Sequence, residues 1–140
     1  MLLATPKQIS FGLLALRVAF GCFMLVHGIQ KLLGFSEMSD VFPDPLGLGS
    51  TISLSLTIAA EAGCSVLLIL GLGTRLAVLP LAFTMVVALF VIHADDPWQA
   101  KELAAIYLAA YAIIFVVGPG EYSIDHKLSA GHSHNGPSQK

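Results

Sequence analysis

Side chains able to carry charge or move a proton stand inside stretches that would otherwise dissolve in hydrocarbon. They are Arg17, His27 and Lys31 in the first stretch, Glu61 in the second, His93 at the end of the third, and Tyr107 and Tyr111 in the fourth. A lone ion in a bilayer core is expensive, so such residues mark ion, proton or ligand sites, or ties between helices. At about 100° per residue, Arg17, Phe20, Met24, His27 and Lys31 fall on one helical face. Gly21 and Gly28 flank that face and leave room for another backbone. Leu13, Val18 and Leu33 lie opposite and are expected to meet lipid, while Gln30 falls off the stripe.

Depth suggests a partner for the arginine. Arg17 lies about 12 Å in from the start of its helix and Glu61 about 16 Å back from Leu72, at a rise of about 1.5 Å per residue. An Arg17–Glu61 ion pair is therefore expected, because an unpaired buried ion is the costlier state. Such a pair either fixes helix register or holds Glu61 ionised as a proton or headgroup site. His27, Lys31 and His93, with Asp95, Asp96, Lys101 and Glu102, would form a polar vestibule at one end, above a hydroxyl face from Tyr107 and Tyr111 at i, i+4 spacing. His27, Lys31, Glu61, His93, Tyr107 and Tyr111 suit a quinol or phenol site in which His27 exchanges a proton with a ring oxygen while Lys31 and Glu61 set the local potential. Haem held by His27 and His93 is disfavoured, since only Gly28 is placed at a ring face and basic partners for the propionates are lacking. No metal site is expected: Cys22 and Cys64 lack metal-ligand spacing, and His132 and His134 lack a third fixed ligand.

The elements carrying these residues follow from composition. Of 140 residues, 56% are hydrophobic and 11% charged, whereas soluble domains are about 25% charged. The mean hydropathy of +0.81 agrees. The chain reads as an all-α integral membrane protein in a lipid bilayer, and its net charge of −2 argues against nucleic acid as a partner. Four spans are expected at 9–33, 51–72, 74–93 and 101–117. Arg17 in mid-run speaks against a cleaved signal peptide for the first. The loop "GFSEMSDVFPDPLGLGS" breaks helix, Thr74 is placed to cap the third span, Pro80 should bend it, and "GPG" at 118–120 ends the fourth. Short connections imply an up-down-up-down four-helix bundle over residues 1–126, followed by a disordered polar tail at 127–140. Lys7, Arg75, Lys127 and Lys140 fall on the side of the termini, against Lys31 and Lys101 on the other, which makes the termini cytoplasmic.

The strings "LRVAFGCFMLVHGIQKLLG", "EAGCSVLLILGLGTRLA", "FVIHADDPW" and "GPGEYSID" resemble, in order, the DoxX family of small four-helix bacterial membrane proteins. The resemblance runs over residues 11–126 and rests on Arg17, His27, Gly28, Lys31, Glu61, Gly71, Arg75, Gly118, Pro119, Gly120, Ser123 and Asp125. It places Arg75 and Asp125 on one side, where an ion pair between them would tie the end of the fourth helix to the second loop. The family takes its name from a thiosulfate:quinone oxidoreductase, and other members act in quinone or thiol oxidative stress as membrane partners of soluble redox enzymes. Distant relatives are cargo receptors or assembly chaperones. The resemblance thus implies a multi-pass protein of the bacterial inner membrane, serving as subunit of a quinone-dependent oxidoreductase complex. Since the chain shows no flavin motif, the electron carrier would be quinone itself or a soluble partner's cofactor. The alternative is a non-enzymatic scaffold, or, for proton-coupled solute movement, a homo-oligomer.

Overall fold

A computed structural model describes residues 4–133, the side chains of 131–133 excepted. Helix α1 spans Pro6–Leu33 and opens on a capping box: Thr5 Oγ1 accepts from the Gln8 amide at 3.3 Å, and Gln8 Oε1 accepts from the Thr5 amide at 2.8 Å. A single turn, α2, covers Phe35–Met38. Helix α3 spans Ser50–Leu70 and is wound as a π-helix over Ala59–Cys64. Helix α4 spans Thr74–Ile92, with its last turn, Ala88–Ile92, also π. Helix α5 covers Trp98–Val117. Among the described residues there is no strand, and α1, α3, α4 and α5 are long and apolar enough to cross a membrane.

These four helices match the expected spans, with α5 starting three residues early because Pro97 can precede a helix but not continue one. The polar tail departs from expectation over 127–133, and its remainder, 134–140, lies outside the described residues. A sixth helix, α6, runs Ile124–Ser133, so the chain stays helical past residue 127. Ser123 starts it: its Oγ accepts from the His126 amide at 3.1 Å and donates to Gly120 O at 2.7 Å. His134 and the side chain of His132 lie outside the described residues.

Glycines bring α1 and α3 together in opposite chain directions. A Cβ at Gly21 would stand 3.3 Å from Ser65 O, and one at Gly28 would stand 2.5 Å from the Ala62 amide nitrogen. Behind this contact lies a core of Met24, Leu68, Val78, Leu81, Tyr107, Tyr111 and Ile114. The outer faces carry Phe11, Phe23, Leu76, Phe90 and Val116, all exposed, as lipid-facing surfaces should. Val18 and Leu33 join them, but Leu13 does not. It is buried against the backbone at Gly120, because the segment after α5 folds back over the start of α1.

That segment also redirects two expected pairings. Arg17 makes no bond to Glu61. Its guanidinium donates through Nη1 to Leu68 O at 3.1 Å and Ile69 O at 3.4 Å, and through Nη2 to Tyr122 O at 2.7 Å. The last carbonyls of a helix carry its negative dipole end, so these bonds stand in for a direct carboxylate partner, with Nε left unbonded and Asp125 acting on the cation only at a distance. Gly71, in the left-handed region at φ 69°, leaves the space, since a Cβ there would collide with the guanidinium. Nor does Asp125 pair with Arg75. Its oxygens accept from the Gly73 and Thr74 amides at 2.7 and 2.9 Å and so cap α4, while Arg75 lies beside Gly118. Thr74, expected to cap α4, is instead its first residue, and its cap comes from 51 positions away.

Candidate functional site

Glu61 sits on the π turn of α3, 5% exposed. At its level Gly28 lets α1 approach within backbone contact, which carries Lys31, one turn further along α1, over the carboxylate. Lys31 Nζ donates to Glu61 Oε2 at 2.6 Å. The buried acid of α3 thus takes the nearer cation of the α1 stripe, not Arg17.

This ion pair forms part of the wall of a cavity of about 480 Å³, within the range of small-molecule sites. The other walls are mostly apolar: Phe42, Pro43, Pro45, Leu46 and Leu48 from the first loop, Leu56 and Ala60 from α3, and Pro80, Phe83, Met85 and Val87 from α4. Ser53, Thr57, Thr84 and His93 supply polar atoms. The hydroxyls of Thr57 and Thr84 donate to Ser53 O and Leu81 O, which leaves their oxygens free to accept. Nδ1 of His93 lies 2.6 Å from Asp96 Oδ2, so Nε2 is its available nitrogen. Both π segments contribute to the wall, through Ala60 and Glu61 in one and Ala88 and Ile92 in the other. Single π turns inside α-helices recur at functional sites.

The residues expected at one site separate into two groups. Lys31, Glu61 and His93 line the cavity. His27, Tyr107 and Tyr111 pack behind it: the Tyr107 ring is edge-on to Phe20 at 5.5 Å and to His27 at 6.2 Å, with Tyr111 at 5.9 Å. His27 and His93 therefore sit in different surroundings. Among the described residues, no three His, Cys, Asp or Glu side chains converge as metal ligands would. Ser53, Thr57 and Thr84 were missed, although serine and threonine at i, i+4 spacing inside an apolar run are a readable signal. The loop wall had none, because its apolar residues sit among turn formers.

Asp44 shapes that wall. It accepts from Ser53 Oγ at 2.7 Å, and from the Gly49 and Leu48 amides at 2.7 and 2.9 Å, bonds that hold its carboxyl below the ordinary range. At the opposite end of the bundle a groove of about 490 Å³ runs between α1 and α6. Its Glu121 and His126 are exposed, and Asp125 there already spends both oxygens on α4.

Comparison with known proteins agrees with this architecture. A protein of Haemophilus influenzae, described as uncharacterized, is 31% identical over 122 residues, covering 81% of each chain. An uncharacterized membrane protein of Mycobacterium tuberculosis is 29% identical over 141 residues, covering 84% of this chain and 82% of its own. No solved structure matches. The family model described as DoxX matches residues 12–94, which takes in most of α1, all of α3 and α4, the Lys31–Glu61 pair and the π turns. With four apolar helices and that match over more than half its length, this multi-pass membrane protein belongs to the DoxX family.

Proposed function

We propose that the chain is the membrane subunit of a quinone-linked redox or oxidative-stress system and binds a quinone-like amphiphile in the cavity beside Lys31 and Glu61. The observation that carries this is an ion pair between the buried Glu61 and the half-buried Lys31, set in a mostly apolar wall. A ring with polar oxygens and an apolar tail suits both parts of that surface. Lys31 uses one of three ammonium donors on Glu61 and keeps two for a ring oxygen. The exposed rim of Leu56, Pro80 and Phe83 is apolar, as an opening toward lipid would be. Electrons would come from a soluble redox partner. In this reading the four spans run up-down-up-down in the bacterial inner membrane, with both termini cytoplasmic and the cavity in the outer half.

Equilibrium binding of a short-tailed quinone to the purified protein tests the reading. Lys31→Ala and Glu61→Gln are each expected to weaken binding about tenfold, equivalent to about 1.4 kcal/mol, whereas His27→Ala leaves it unchanged. Equal affinity in the parent and both cavity variants would overturn it. The second reading, a non-catalytic scaffold, is favoured by Arg17 and Asp125, whose bonds go to backbone groups at helix ends and in the segment before α6. It predicts no saturable quinone binding.

A further inference from the structure

The chain over 42–48 forms one wall of the cavity, and the Asp44 carboxylate ties that chain to α3. Asp44 joins the loop backbone at Leu48 and Gly49 to the Ser53 hydroxyl on the first turn of α3. Residues on either side of Asp44, from Phe42 to Leu48, face the cavity, as does Ser53 itself. Pro43 and Pro45 have no N–H, so the segment cannot be tied through those amides. Gly47 and Gly49, at φ 70° and 96°, turn the chain back toward α3 with open space around them. Bonds to an ionised acceptor are about twice as strong as neutral ones. Elsewhere in the lining, Leu56 of α3 and Pro80 and Phe83 of α4 present exposed apolar surface.

We infer that Asp44 is a positioning residue that holds Phe42–Leu48 as a seal against water. The cavity then takes ligands dissolved in the bilayer, through the gap between α3 and α4, and excludes water-soluble ones. This rests on the membrane placement given above, though not on the ligand being a quinone.

The test measures access with no ligand present. Ala60 is buried in the cavity wall, and Ala60→Cys, in a chain with Cys22→Ser and Cys64→Ser, places one thiol there. The protein is reconstituted in vesicles loaded and bathed with reagent, and rates are taken relative to a free thiol. A membrane-soluble aryl maleimide is expected to label the parent readily, and a charged methanethiosulfonate to label it slowly. Asp44→Ala is expected to raise the charged reagent's rate about tenfold, as loss of a bond to an ion worth about 1.5 kcal/mol or more would do, and to leave the maleimide rate within about twofold. Ser53→Ala, which removes one of the three bonds, gives a smaller rise and serves if the Asp44 variant does not fold. Fast labelling of the parent by the charged reagent, or no change in either variant, would overturn the inference. Absence of quinone binding would overturn only the reading in the preceding section.

Discussion

Arg17 and Lys31 are cations on one face of α1, and only Lys31 meets Glu61. Glu61 stands seven residues before Leu68, or about 10 Å along α3, so the buried Arg17 and half-buried Lys31 of α1 serve different levels of the bundle. A double-mutant cycle on Arg17→Ala and Glu61→Gln is accordingly expected to be additive within about 0.5 kcal/mol, while Lys31→Ala and Glu61→Gln show coupling above that. Thermal or chemical unfolding in detergent reads both cycles. Arg17→Ala alone is expected to cost about 2 kcal/mol, because it removes the bonds to the Ile69 and Tyr122 carbonyls, while the Leu68 carbonyl keeps the Gly71 amide. That charges in apolar runs must turn inward was legible from helical phase. Which partner each takes was not, because the acceptors for Arg17 are backbone carbonyls, which every residue has.

The turn between α3 and α4, Gly71–Thr74, is held by opposite charges from distant elements: Arg17 of α1 at the carbonyl end of α3, and Asp125 of α6 at the amide end of α4. Each matches the helix dipole it meets. Burial would push the Asp125 carboxyl up, but the Thr74 and Gly73 amides, helped by Arg17, outweigh it and hold the acid below its ordinary value. A group depressed on folding adds stability above its unfolded value, near pH 3.9, and that gain is lost as pH falls through the lower folded value. Asp125→Asn is therefore expected to cost about 1 kcal/mol at pH 7, as loss of a cap does, and parent and variant should converge only as pH falls through the depressed folded value, below the ordinary carboxyl range. Melting curves from pH 7 down through that value check this. The helix spans were readable because Gly and Pro punctuate them. The cap was not, since its acceptor lies 51 residues from the amide it serves.

At the scale of the whole molecule, charge and apolar surface set how the bundle sits. Lys7, Arg75 and Lys127 share one end, while acidic residues dominate the first and third loops. Alkaline phosphatase fused in the loop after Asp40 is expected to be active and a fusion after Lys127 inactive; the reverse pattern would invert the orientation. The four spans, their glycine contacts and the polar helix face were open to reading from local pattern. The cavity was not, because it forms where a proline-rich loop, two π turns and an ion pair meet, and no window of sequence contains all three.

The bond from Arg17 to the Tyr122 carbonyl joins residues 105 positions apart. A ribosome finishes α1 first and delivers Tyr122 last, so the cation waits through most of synthesis with its final acceptor unmade. Chains stopped before Gly118 would keep all four spans yet leave that cation with two of its three carbonyl acceptors.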